Sequence, residues 1–129
     1  MKILYASSEV APLIKTGGLA DVAGSLPAAL NHIGMDCRLI VPGYPQVLAK
    51  AANLQKVAEL ELDGGKVTLL QGVCEPHEVP LYVVDAPRWF DRPGNPYLTP
   101  EGYNWPDNAD RFMLFCQAAV TVALDGAGL

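Results

Sequence analysis

The stretch Ile3-Leu4-Tyr5-Ala6-Ser7-Ser8-Glu9-Val10-Ala11-Pro12-Leu13-Ile14-Lys15-Thr16-Gly17-Gly18-Leu19-Ala20-Asp21 carries the reading of the fold. It begins with a nearly continuous apolar run, the mark of a buried strand in a parallel sheet. It ends where apolar residues begin to recur every three or four positions, the mark of a helix. Between the two stand a lysine and two adjacent glycines, a composition that suits an anionic ligand. Glycine lets the backbone approach a ligand closely and reach positive φ. The free N–H groups of the first helical turn, and the helix dipole, favour negative charge there. Lys15 adds a full positive charge on a flexible stem. The alternative is a glycine-rich loop that merely turns the chain, with Lys15 in solvent. The segment matches neither G-x-G-x-x-G nor G-x-x-x-x-G-K-[ST], which weakens dinucleotide and P-loop readings.

Working outward, Leu19, Val22, Ala23, Leu26, Leu30 and Ile33 predict a helix from Leu19 to about Ile33. Pro27 falls inside it, so the helix kinks there or restarts with Ser25 as its N-cap. Gly34 is the stop signal. Asp36 to Val41 reads as a second strand, completing a βαβ unit with a right-handed crossover. Ser7-Ser8-Glu9 and Pro42-Gly43-Tyr44-Pro45 then lie at strand C-termini, the edge where open α/β sheets bind ligands. Val47 to Ala52 is weakly helical. Lys56–Leu62 and Lys66–Val73, joined through Asp63-Gly64-Gly65, predict a β-hairpin that adds an antiparallel flap or edge. Val79 to Asp85 is a further buried strand. Arg88 to Asn108 is a long segment rich in Pro, Gly and Asn that holds Trp89, Phe90, Tyr97, Tyr103 and Trp105. Loops of that length are functional or mobile. Its aromatics either stack on sugar rings or pin the loop to the core. Asp107 to Leu124 is the last helix, capped by Asp107 or Asn108. It is apolar nearly all round from Phe112, which implies burial on most faces or a partner outside this stretch.

With 129 residues, half of them hydrophobic and only 18% charged, the chain has the composition of one globular domain. Its net charge of −5, from 9 basic and 14 acidic residues, argues against nucleic acid held by general charge. Cys37, Cys74 and Cys116 are odd in number, far apart and without a C-x-x-C pair. They read as reduced thiols of a cytoplasmic protein. With only His32 and His77 besides, no metal site is expected. No signal peptide and no membrane-spanning apolar run is evident. Glu9, Asp21, Asp85, Asp91 and Asp107 are carboxylates in or near loops, but no acid–base pair can be picked from spacing.

A resemblance extends this reading. Ser8-Glu9, Pro12 and Lys15-Thr16-Gly17-Gly18-Leu19-Ala20-Asp21-Val22 follow the pattern S-E-x-x-P-x-x-K-T-G-G-L-A-D-V that opens bacterial glycogen synthases and plant starch synthases. The likeness continues through Gly24-Ser25-Leu26-Pro27-Ala28-Ala29-Leu30 and Val41-Pro42-Gly43-Tyr44. It resumes at Asp85-Ala86-Pro87, Phe90-Asp91-Arg92-Pro93-Gly94-Asn95-Pro96-Tyr97 and Asp107-Asn108-Ala109-Asp110-Arg111-Phe112. The landmarks keep family order across nearly the whole chain, so the combination is specific.

The resemblance implies a GT-B glycosyltransferase of two Rossmann-like domains facing a cleft. Residues 1–129 would be part of the N-terminal, acceptor-side domain: an α/β, mostly parallel sheet with an antiparallel β-hairpin. The implied reaction is transfer of glucose from ADP-glucose to the non-reducing end of an α-1,4-glucan, with retention and no cofactor. Lys15, Gly17 and Gly18 would meet the nucleotide-sugar diphosphate. Asp21 and Glu9 would lie in the donor or acceptor sugar site, and Tyr97 near the glucan. Catalytic residues are expected beyond Leu129, because the family's His-x-His-Asp-Trp-like segment and C-terminal nucleotide-binding domain are absent. By that reading the chain is truncated and inactive alone. Two other readings are a non-catalytic α/β module binding nucleotide or glucan, and a relative of sucrose or sucrose-phosphate synthases. The Lys15-Thr16-Gly17-Gly18-Leu19 run disfavours the latter.

Overall fold

A computed structural model describes residues 1–124. Its strands are β1 (Lys2–Ala6), β2 (Asp36–Pro42), β3 (Ala52–Leu62), β4 (Gly65–Cys74) and β5 (Val79–Asp85). They form one sheet in the order β1-β2-β5-β4-β3. β1 pairs β2 and β2 pairs β5 in parallel, while β4 is antiparallel to both β5 and β3. Four strands therefore point one way and β4 alone runs against them. The hairpin is an extension of the sheet's edge, as its turn signal implied. Leu62 pairs with Gly65 across the two-residue turn Asp63-Gly64, and Gly65 takes φ +117°. β1 departs from expectation. It is the opposite edge strand among the described residues, and Ile3, Leu4 and Tyr5 are only half-buried. β2 and β5 are the buried pair, with Leu39, Ile40, Val41, Leu81, Val83 and Val84 sealed from solvent.

The helices are α1 (Gly18–His32), α2 (Pro45–Lys50), α3 (Pro87–Phe90) and α4 (Asn108–Ala123). α1 runs through Pro27 without restarting. Ser25 is not a cap; its hydroxyl donates to the Asp21 carbonyl at 2.9 Å, the bond typical of serine inside a helix. α1 ends as Gly34 implies. Gly34 sits at φ +98°, its N–H reaches Asn31 O at 3.1 Å, and Met35 N–H reaches Leu30 O at 3.0 Å. That is the paired bonding of a Schellman stop. α2 begins with Pro45 at its first position, where a missing N–H costs nothing.

α4 buries Arg111, Leu114, Phe115, Ala118 and Val122, one helical face. Burial on most faces does not hold here: Met113 is 60% exposed and Val120 56%. The four-residue α3 interrupts what reads in sequence as one long loop. Because β1, β2 and β5 run parallel, segments 7–17, 43–44 and 86–107 all emerge at the sheet's C-terminal edge.

Candidate functional site

Glu9 lies on that edge, just beyond β1. Only 2% of it is exposed. Its carboxylate accepts from Thr16 N–H at 3.0 Å, Gly17 N–H at 3.1 Å, Thr16 Oγ1 at 2.6 Å and the Tyr97 hydroxyl at 2.5 Å. Burial by itself would push the carboxyl upward. The bonds from the Thr16 side chain, Tyr97 and the two backbone amides outweigh burial and hold it below the ordinary value. Gly17 is the N-cap of α1 and no side chain of the cap region closes that helix end. Glu9, reaching in from earlier in the chain, supplies the anion that the helix dipole favours.

This changes which amides face outward. The Gly17 N–H is engaged by Glu9. The first-turn N–H groups of Gly18 and Leu19 have no carbonyl one turn back to receive them, and among the described residues no bond accepts from either. Gly17 is extended, at φ −164°, and neither Gly17 nor Gly18 takes positive φ. The expected reason for glycine thus reduces to room. A Cβ built on Gly18 meets nothing within 4 Å. Gly24, further along α1, is packed instead: a Cβ there would sit 2.7 Å from the Ala11 carbonyl oxygen, so it seats the helix on the loop after β1.

Lys15 and Asp21 form a pair, Nζ lying 2.8 Å from each carboxylate oxygen, with both side chains about half exposed. Such a pair holds little energy, so Lys15 is free to exchange its partner for a stronger anion.

Tyr97 comes from the long loop. Its hydroxyl proton goes to Glu9, so the Ser8 hydroxyl, 2.6 Å away, donates to Tyr97. Burial and the Glu9 carboxylate push the Tyr97 phenol up to about 12, keeping it protonated as a donor. The loop behind Tyr97 is fastened by Arg111, 1% exposed, from the first turn of α4. Arg111 donates to Trp89 O at 2.6 Å, Pro96 O at 3.0 Å and Asn108 Oδ1 at 2.8 Å. It also lies 5.5 Å from the ring centroids of both Phe90 and Phe112. Asn108 in turn donates to Tyr97 O at 2.9 Å. Arg92 bonds both oxygens of Asp107 at 2.6 Å and stacks over Trp105. Of the loop aromatics, Phe90 is a core residue, whereas Tyr103 is 74% exposed. Among the described residues, two buried side-chain polar atoms have no partner: the Tyr44 hydroxyl and Trp105 Nε1. Asp85, at the end of β5, is raised above the ordinary carboxylate range by burial and by Asp91.

Of the residues named from sequence, Glu9, Gly17 and Tyr97 therefore meet in one network, with Lys15, Gly18 and Asp21 on its solvent side. Thr16 and Arg111 were not singled out, and Asn108 only as a candidate helix cap. Arg111 stood only as a motif letter, with no local signal that it would be buried.

At the C-terminal edge of this α/β sheet stand an open helix N-terminus and a flanking lysine, a combination whose charge and dipole favour an anion. Comparison with known proteins narrows that reading. The profile of the starch synthase catalytic domain matches residues 2–128, and the chain belongs to that family. It is 53% identical, over its whole length, to a glycogen synthase of Thioalkalivibrio sulfidiphilus, of which it spans 27%. It is 51% identical to glycogen synthase 1 of Methylococcus capsulatus, spanning 26% of it. The catalytic domain of starch synthase IV from Arabidopsis thaliana, bound to ADP and acarbose, superposes on 97% of this chain with a TM-score of 0.77 at 28% identity. The chain covers 25% of that structure. It thus spans about a quarter of the length of the relatives it matches.

Proposed function

We infer that these residues are the acceptor-side N-terminal part of a retaining glucosyltransferase, a glycogen or starch synthase of the GT-B arrangement. It moves glucose from ADP-glucose to the non-reducing end of an α-1,4-glucan in the cytoplasm. The observation that carries this is the family match over residues 2–128, joined to outward-facing amides at Gly18 and Leu19 beside Lys15. The ADP bound to the Arabidopsis structure supports a nucleoside diphosphate donor, and its acarbose a sugar acceptor.

In this reading Lys15 leaves Asp21 for the donor diphosphate, and the Gly18 and Leu19 amides bind the same oxygens. A diphosphate gains charge as its bond to glucose breaks, and fixed donors aimed at it stabilise that charge. Asp21, released, faces the sugar site. Tyr97 lies toward the glucan. Glu9 is held inside, with the network rather than with substrate. The catalytic groups and most of the nucleoside contacts come from a C-terminal domain outside these residues, so this segment alone transfers no glucose. The free cysteines, Cys37 and Cys74 buried and Cys116 exposed, support a reducing compartment.

The test is a transferase assay on a full-length protein carrying this segment, with ADP-glucose and UDP-glucose as donors and a maltooligosaccharide as acceptor. Chain extension with new α-linkages, faster from ADP-glucose, is the expected outcome. Absence of extension from either donor, or β-linked product, refutes the reading.

A further inference from the structure

We propose that Tyr97 and Glu9 act as a coupling pair that ties the long acceptor-side loop to the donor loop, so that a change at Tyr97 is felt at the diphosphate. The inference rests on the proposed reading of Lys15–Gly18 as the donor loop.

The connection is continuous. α4 fixes the backbone around Tyr97 through Arg111 to Pro96 O and Asn108 to Tyr97 O. The Tyr97 ring packs against Phe112 with centroids 5.9 Å apart. Its hydroxyl donates to Glu9 Oε2, the same oxygen that takes the Thr16 hydroxyl. The other oxygen, Oε1, takes the Thr16 and Gly17 amides. Oε1 is thus held by the short loop alone, while Oε2 is shared between two loops that lie far apart in sequence. An acid with all four donors in place is fixed in orientation, and so are the two amides next to Lys15 and Gly18. Remove one donor and the carboxylate can rotate, carrying Thr16 and Gly17 with it. A side chain 2% exposed and fully bonded to protein is poorly placed to touch a substrate. Glu9 is thus a positioning residue. Tyr97 adds a second duty to any contact it makes with the glucan.

The experiment uses the full-length protein with Tyr97→Phe, Glu9→Gln and the double variant. Tyr97→Phe keeps the ring and removes the one donor. Glu9→Gln keeps the shape and replaces one acceptor oxygen by a donor nitrogen. Each single change raises KM for ADP-glucose about 3- to 10-fold, the scale of one ordinary hydrogen bond's net contribution. The double variant is no worse than Glu9→Gln alone, as coupled groups require. Hydrogen–deuterium exchange on peptides covering Thr16 and Gly17 speeds up in Tyr97→Phe. A donor KM unchanged in Tyr97→Phe, with only the acceptor KM affected, overturns the proposal, as does multiplicative loss in the double variant. The exchange measurement needs no activity. If the protein used no ADP-glucose, the proposed function would fail, while faster exchange at Thr16 and Gly17 would still establish the coupling.

Discussion

The loop 15–17 and the loop 91–107 emerge at the same sheet edge but are held by opposite charges. The short one turns backbone N–H groups inward, at Thr16 and Gly17, and a buried carboxylate receives them. The long one turns the Pro96 carbonyl inward, and a buried guanidinium bonds to it and to the Trp89 carbonyl of the adjoining α3. Each ion is nearly sealed from solvent yet saturated by dipoles of the opposite sign, which is how a buried charge avoids the full desolvation penalty. The difference is in what remains outside. Filling the inner side of the short loop leaves the Gly18 and Leu19 amides outward, so it stays open to an anion. The long loop presents a half-buried Tyr97 on a fixed backbone, a surface rather than a charge trap.

The largest effect expected is at the cation that holds the long loop. Arg111→Met fills a similar volume but strands the carbonyls of Trp89 and Pro96 in a dry site. Relief of the guanidinium's desolvation offsets part of this, so the net loss is about 2–4 kcal/mol. Denaturant unfolding of the full-length protein reads the loss, and limited proteolysis shows cleavage moving into residues 91–107. Stability equal to that of the parent would mean that the loop is held elsewhere.

Next in size is the open side of the short loop. A Cβ at Gly18 meets no protein atom, so Gly18→Val should leave the fold largely intact while crowding the approach to the free amides. ADP affinity, read by calorimetry on the full-length protein, should fall by about 100-fold, or ~2.7 kcal/mol. Normal ADP binding would place the ligand away from α1. Lys15→Gln removes the charge and roughly keeps the reach, and should cost about 1–3 kcal/mol in use of the nucleotide sugar. An unchanged donor KM in that variant would assign Lys15 to its exposed pair with Asp21 and nothing more.

How far the sequence could be read follows the same division. Ile3 to Ala6, the Leu19–Ile33 period, Gly34 and Asp63-Gly64 announce strand, helix, stop and turn because each signal is local. Spacing alone singled out Lys15, Gly17 and Gly18, and the family pattern added roles for Asp21, Glu9 and Tyr97. What no local pattern could supply is who bonds whom across the fold. Glu9 reads as a site acid at the end of a strand, and only the approach of Tyr97, 88 residues away, shows that it is a buried acceptor. Arg111 has no periodic signal at all, since an arginine on an apolar helix face reads as an error of pattern. Pro27 misleads in the other direction. Helix propensity makes it a breaker, but packing keeps it buried inside an unbroken α1. β1 reads as buried because its composition is apolar, and its place at the sheet edge depends on strand order, which composition does not encode.

The smallest effect lies at the rim of the long loop, where Arg92 grips Asp107. The pair is bidentate, yet its side chains are 19% and 33% exposed, so solvent screens it. Asp107→Asn should cost less than about 1 kcal/mol at neutral pH, far below the loss at Arg111. The pH dependence gives the sharper check. Arg92's hydrogen bonds hold the Asp107 carboxyl below its ordinary 3.8, outweighing burial. When the folded value is the lower one, the unfolded chain takes up the proton first as pH falls. The contribution is therefore complete above the ordinary carboxylate value and disappears as pH drops through the folded value. The stability gap between parent and Asp107→Asn should be flat well above the ordinary carboxylate value of 3.8 and close as pH falls below it. Denaturant titrations of both proteins across that range measure it. A gap that widened toward acid would mean that Asp107 is held by repulsion avoided elsewhere and not by Arg92, and the rim would then owe its order to Arg111 alone.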